Sequence, residues 1–254
     1  MADARFVELC ARLAPRLRAV LLDAGNTLIH PDWETLARWC AEAGFPYRVE
    51  ELLRSEYLAR KAWDAYMAGQ GPPHDEGYFG AILRNLGMNG PARAHVLERI
   101  RQAEQEGSWW LCVRPGTVEA LQTLGELKLL RVVVSNSDGR VEQFLQRAGL
   151  RPFLDVVIDS TLVGVEKPDP RIFRIALDRA GVRADEAVHV GDLCTVDVAG
   201  ARAAGIEGVV LDPLGLYDTC QAPRVASLSE LSAELARWRR HAPDSQPAPT
   251  PAGA

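Results

Sequence analysis

Residues 18–23 read Arg-Ala-Val-Leu-Leu-Asp, and Gly25-Asn26-Thr27 follow after a single alanine. An apolar run that ends in a carboxylate and breaks at Gly-Asn predicts a short buried strand entering a tight turn. Working outward, similar runs recur at 131–135 (RVVVS), 154–158 (LDVVI), 187–191 (AVHVG) and 207–211 (EGVVL). Between them lie 117–128, 141–149, 170–181 and 196–204, whose apolar residues are spaced as on a helix face. Strand and helix alternate, which predicts an α/β fold with a parallel sheet covered on both faces. A last helix over 228–240 starts at a capping box of Ser227 and Glu230. The segment from 241 to 254 (HAPDSQPAPTPAGA) is rich in proline and alanine and predicts a disordered tail.

Residues 33–113 interrupt the alternation. They carry helical patterns such as WETLARWCAEAG, with Leu36, Trp39 and Cys40 on one face, and show no strand-like run. Loop signals at Gly69–Pro73 and Gly87–Pro91 divide the stretch into about four helices. The expected organisation is a core of 1–32 and 114–240 carrying an all-helical insert of 33–113. Packing between its own helices is the expected role of most of the insert's Trp, Tyr and Met residues.

The chain has 254 residues, 47% hydrophobic and 25% charged, which suits one large core with an insertion and excludes disordered, collagen-like and repeat chains. Nothing approaches the roughly 18 apolar residues of a membrane span, and arginines fill the N-terminal stretch where a signal peptide would be apolar, so the expectation is a cytoplasmic protein without membrane partners. The net charge of −5 lacks the footprint of a general nucleic-acid binder. Cys10, Cys40, Cys112, Cys194 and Cys220 are odd in number and scattered, against a disulfide scaffold or a zinc site. Only three lysines occur, Lys61, Lys128 and Lys167.

Ligands of an open parallel sheet sit beyond the carboxyl ends of its strands. Those ends carry Asp23, then Ser135-Asn136, then Gly191-Asp192 with Asp197 five residues on, while Lys167 follows the third strand. The set suits phosphoryl transfer. A carboxylate at Asp23 can attack phosphorus and carry an aspartyl-phosphate. Anion attacking anion needs neutralisation, which a hard divalent cation on Asp23, Asp192 and a backbone carbonyl of the turn would supply, Mg2+ being favoured. Lys167 adds a point charge, and Ser135 with the backbone N–H of Asn136 can hold the phosphoryl group. Asp197 is read as orienting this site, holding metal through water, or capping a helix.

These residues also resemble a family. LLDAGNTL, VVVSNS, the lysine of GVEKPDP and HVGDLCTVD are similar, in that order, to the four motifs of the haloacid dehalogenase superfamily of hydrolases, and VRPGTVEALQTL resembles its return from insert to core. The resemblance covers roughly residues 17–215. It implies a Rossmann-like core, a helical cap of the C1 type closing over the site, Asp23 as nucleophile, and Mg2+ on Asp23, the Gly25 carbonyl and Asp192. The expected activity is that of a Mg2+-dependent phosphatase acting on a small phosphorylated metabolite, with the oligomeric state left open.

One position departs from the family. Its phosphatases usually carry a second Asp two residues after the nucleophile as general acid and base, and here that residue is Gly25. Glycine transfers no proton, and such help is worth about 10²- to 10⁴-fold. Alkyl phosphates should suffer most, while acyl phosphates and phosphates of acidic alcohols can release their leaving groups as anions. Asn26 is expected to serve the turn. The alternatives are a non-catalytic member that binds a phosphorylated ligand or a partner, a dehalogenase, against which Asp192 counts, and a phosphonate-cleaving relative using Lys61. Trp63, Tyr66, His74 and Arg84 are candidate substrate contacts.

Overall fold

A computed structural model describes residues 3–69, 77–215, 217 and 220–241. Strands β1 (Ala19–Leu22), β4 (Leu130–Ser135), β5 (Val156–Asp159), β6 (Ala187–Gly191), β7 (Glu207–Leu211) and β8 (Arg224–Val225) form a parallel sheet in the order β5-β4-β1-β6-β7-β8. The short pair β2 (His30–Pro31) and β3 (Trp110–Cys112) forms a separate antiparallel ribbon.

The sheet's two faces explain the continuous apolar strands. Along β1, Val20 and Leu22 enter one cluster with Leu121, Leu124 and Leu231, while Ala19 and Leu21 enter another with Ile172, Phe173 and Ala176. The first face is covered by α1 (Ala4–Leu13), α6 (Thr117–Glu126), α7 (Val141–Arg147) and α11 (Leu228–His241), and the second by α9 (Pro170–Ala180) and α10 (Ala199–Ala203). Half of the capping box forms as expected, Glu230 N–H donating to Ser227 Oγ, while the Glu230 carboxylate accepts from Ala226 N, one residue before the cap. The tail predicted from 241 on lies outside the described residues, apart from the helix-ending His241. No described helix is long and apolar enough to cross a membrane.

Helices α2 (Trp33–Glu42), α3 (Val49–Met67), α4 (Gly77–Asn85) and α5 (Gly90–Gln105) occupy the insert. They pack around Leu36, Cys40, Leu52, Ile82, Met88 and Trp109. Three features differ from expectation. A strand, β3, does lie within 33–113; at three residues, paired with a two-residue partner containing Pro31, it is too short to show periodicity. Helix α1 is amphipathic, burying Phe6, Leu9, Cys10 and Leu13 behind an Asp3 cap, a stretch read above only for its arginines. Cys194 and Cys220 form a disulfide, because the segment after β6 lies against the one between β7 and β8; a separation of 26 residues gives no sequence signal for this. It is one link beside three free cysteines, not a scaffold.

Candidate active site

Sheet register assembles the floor of the site. Leu22 of β1 lies opposite Val133 of β4 and Val190 of β6, so the residues that follow, Asp23, Ser135 and Asp192, emerge side by side. The turn after β1 closes by Asn26 N–H donating to Ile29 O, 2.8 Å. Here Asn26 adopts the left-handed conformation, φ 55°, and Gly25 does not; a short polar side chain tolerates this region. Asp197 crosses under Gly191 so closely that a Cβ on residue 191 would lie 2.2 Å from the Asp197 Cγ, which explains a glycine there.

Lys167 joins two of the acids. Its Nζ donates to Asp23 Oδ1 at 2.6 Å and to Asp197 Oδ1 at 2.7 Å. Asp197 Oδ1 also contacts His189 Nε2 at 3.1 Å, and Oδ2 accepts from Leu193 N. Asp197 therefore positions Lys167 and the loop after Asp192. Asn136 uses its side chain to clamp Lys167, accepting from Lys167 N at 2.7 Å and donating to Lys167 O at 2.9 Å. Ser135 is buried and lines the same cavity, about 740 Å³, as Asp23, Lys167 and Asp192.

The ceiling comes from the insert. Tyr57, Arg60 and Asp64 recur at helical spacing along one face of α3, and all three reach the core. Tyr57 Oη donates to Asp212 Oδ1 at 2.6 Å, Arg60 Nη1 to Asp192 Oδ2 at 3.2 Å, and Asp64 Oδ1 accepts from Thr195 N at 2.7 Å. A closed ring of hydrogen bonds follows. Arg60 Nη2 donates to Glu56 Oε2, Tyr78 Oη donates to Glu56 Oε1 at 2.5 Å, and Asn26 Nδ2 donates both to Tyr78 Oη at 2.9 Å and to Asp192 Oδ2 at 3.3 Å. Asn26 thus serves the site as well as the turn.

Charge in this cluster is unbalanced. Among the described residues, four buried carboxylates, Asp23, Asp192, Asp197 and Glu56, share ion pairs with two buried cations, Lys167 and Arg60, so the acids outnumber the cations that bridge them. Burial raises the Asp23 carboxyl above its ordinary range despite Lys167. Burial likewise pushes Asp192 up to about 8, with Arg60 opposing and Asp23 and Asp197 adding to the rise. For Asp197 the burial penalty is outweighed by Lys167 and His189, which hold it below the usual carboxylate range. Oxygens of Asp23, Asp192 and Asp197 lie within 4.8 Å of one another. An all-oxygen donor set in which carboxylates outnumber cations fits a hard divalent ion such as Mg2+. Asp23 Oδ2 and Asp192 Oδ1 accept no hydrogen bond from a described residue.

The other sequence candidates divide. Trp63 lines the cavity; Tyr66 and Arg84 are exposed and do not, and His74 lies outside the described residues. Lys61 does not line it either, its neighbour Arg60 being the residue turned inward. Most insert aromatics are packing residues as expected, but Trp63, Tyr78, Phe79 and Trp110 also wall the cavity. Sequence reasoning missed Glu56, Arg60, Tyr78, Trp110 and His189. The one available signal was the Glu56–Arg60 pair, four residues apart on a helix.

Comparison with known proteins gives a consistent picture. Residues 17–205 match the haloacid dehalogenase-like hydrolase family. The mouse haloacid dehalogenase-like hydrolase domain-containing protein 3 is 43% identical over 193 residues, covering 72% of this chain and 76% of that protein. The ribulose-1,5-bisphosphate 5-phosphatase of Halopiger xanaduensis is 38% identical over 205 residues, covering 77% of this chain and 84% of its own. Among solved structures, the magnesium-bound HAD-hydrolase YfnB of Bacillus subtilis superposes with a TM-score of 0.62 at 19% identity, over 87% of this chain and 99% of that one.

Proposed function

Because the chain belongs to the haloacid dehalogenase-like hydrolases, we propose that it is a Mg2+-dependent phosphatase of a small phosphorylated metabolite, with Asp23 as the phosphoryl carrier. The observation that carries this reading is the state of Asp23, which lines the cavity: Lys167 holds Oδ1 at 2.6 Å, while Oδ2 accepts no hydrogen bond from a described residue. Relatives named as phosphatases, such as that of Halopiger xanaduensis, support the reaction class.

In this reading Asp23 Oδ2 attacks phosphorus, the substrate's P–O bond breaks, and its electron pair leaves on the departing oxygen. Ser135 Oγ and the Asn136 N–H hold the transferring phosphoryl oxygens, and Lys167, fixed by Asn136 and Asp197, faces the growing charge. Asp23, the Gly25 carbonyl and Asp192 would hold Mg2+, which would offset the repulsion between the attacking carboxylate and the phosphate. Water then attacks the aspartyl-phosphate at phosphorus, releasing inorganic phosphate and restoring the Asp23 carboxylate.

The test is phosphate release from acyl, aryl and alkyl phosphates, with Mg2+ or with EDTA, by wild type and Asp23→Asn. Metal-dependent release, lowered on the order of 10⁴-fold in the variant, is expected. Absence of release from every class by a folded protein that binds Mg2+ would count decisively against a phosphatase.

A further inference from the structure

In an in-line displacement the attacking and leaving oxygens lie on opposite sides of phosphorus. Asp23 sits at the strand ends of the core, so the leaving oxygen points toward the wall built by the helical insert. No core side chain at position 25 offers it a proton, and the indole of Trp110 stands 3.7 Å from where a Cβ on Gly25 would be. Two proton-bearing groups of the insert are engaged elsewhere. Tyr78 donates to Glu56, and Glu104 meets Trp110 Nε1 at 3.4 Å, at the end of the indole remote from Gly25.

Arg60 is differently placed. Its side chain is 2% exposed, its Nη1 lies 3.2 Å from Asp192 Oδ2, and the Asp192 and Asp23 oxygens belong to one cluster within 4.8 Å. A guanidinium carries five N–H donors. One on Nη1 and one on Nη2 are engaged, by Asp192 and Glu56. The buried Nε lies 3.1 Å from Glu56 Oε1 yet makes no hydrogen bond, so this cation is paired in charge while some of its donors have no acceptor among the described residues. Glu56, gripped also by Tyr78, fixes its orientation.

We infer that Arg60 receives the leaving oxygen, stabilising by charge-assisted hydrogen bonds the anion that an acid at position 25 would have protonated. The inference rests on the phosphatase reading above and narrows its substrate class. The bond formed joins Asp23 Oδ2 to phosphorus and the bond broken is P–O of the substrate. The electron pair remains on the leaving oxygen, Arg60 keeps its proton, and water protonates the anion after release. Substrates whose leaving groups are tolerable anions, namely acyl, enol and aryl phosphates and phosphates of acidic hydroxyls, therefore precede simple alkyl phosphates.

The experiment is the dependence of kcat/KM on leaving-group pKa over a series of aryl phosphates with Mg2+. It compares wild type with Arg60→Gln and with the double variant Glu56→Gln/Arg60→Met, which removes both members of the buried pair and leaves no lone carboxylate. For folded variants the loss should grow as the leaving group worsens, from within about tenfold for 4-nitrophenyl phosphate to roughly 10²- to 10³-fold for phenyl phosphate. Added guanidinium ion should restore the poor substrates preferentially. Equal losses across the series, or none, would overturn the role and leave Arg60 a structural residue. If one variant does not fold, the slope of the other decides. A wild type inactive on every substrate removes the phosphatase reading, and this inference with it, whereas activity with parallel slopes removes the inference alone.

Discussion

Two walls face each other across the cavity, and different forces hold them. On the floor, Asp23, Ser135 and Asp192 sit at strand ends whose spacing is set by backbone register, and Lys167 is clamped by Asn136 and Asp197. The ceiling is one helix face, and it meets the floor side chain to side chain through Arg60 and Tyr78. A strand end moves only with its sheet. A neutral hydrogen bond nets about 0.5–1.5 kcal/mol, with those to charged groups stronger, so polar contacts of this kind can be exchanged for contacts with a ligand. The contrast teaches where to look for reaction and where for selection: invariant chemistry belongs to the floor, discrimination among leaving groups to the ceiling.

The strongest blow to the floor is Lys167→Met. The ammonium's burial disfavours its charge, but Asp197 and Asp23 outweigh this and raise its pKa above the ordinary lysine value. Removing it leaves two buried carboxylates facing each other without their cation, and breaking such pairs costs about 3–5 kcal/mol. Urea unfolding should show that loss, with activity falling on the order of 10³-fold or more. A variant within about 1 kcal/mol of wild type would mean that the floor is held by register alone.

The same contrast explains what could be read from the residues. Strand ends are legible because β-branched runs reveal the strands, and a parallel sheet delivers whatever follows them to one rim; Asp23, Ser135 and Asp192 needed no further information. Helix faces are not. Hydrophobic spacing in α3 shows which residues seek an apolar neighbour, yet Tyr57, Arg60 and Asp64 turn toward the core for polar partners that lie 155, 132 and 131 residues away in sequence. His189 was hidden for another reason: inside an apolar strand it reads as filler, and only the fold sets its Nε2 beside Asp197. Ribbon and disulfide depend on close approach between short segments that carry no periodic pattern.

A gentler probe of the interface between the walls is pH. With Asp192 raised to about 8 from an ordinary 3.8, the folded metal-free protein holds a proton that the unfolded chain has already lost. Its stability should therefore fall as pH rises from about 4 to 8. A metal that needs the carboxylate should bind more tightly over the same rise, by up to about tenfold per pH unit, and level off above 8. Calorimetric Mg2+ titrations at pH 6, 7, 8 and 9, with thermal melting in EDTA, would show both trends. An affinity already flat from pH 6 to 8 would mean that Arg60 neutralises Asp192 completely from above.

The smallest expected effect sharpens the comparison most, because it asks the floor to take over the ceiling's task. Gly25 lies outside the left-handed region, and an added Cβ would meet only Trp110, at an ordinary 3.7 Å, so the turn accepts Gly25→Asp. The new carboxyl must, however, share its space with the indole. We expect alkyl phosphate turnover to rise about tenfold, short of the roughly 10²- to 10⁴-fold of a well-placed acid. Adding Trp110→Ala should enlarge the gain and introduce an acid limb into the pH–rate profile. If neither folded variant gains, proton supply does not limit alkyl phosphates. Their exclusion would then lie in how the ceiling seats the leaving group.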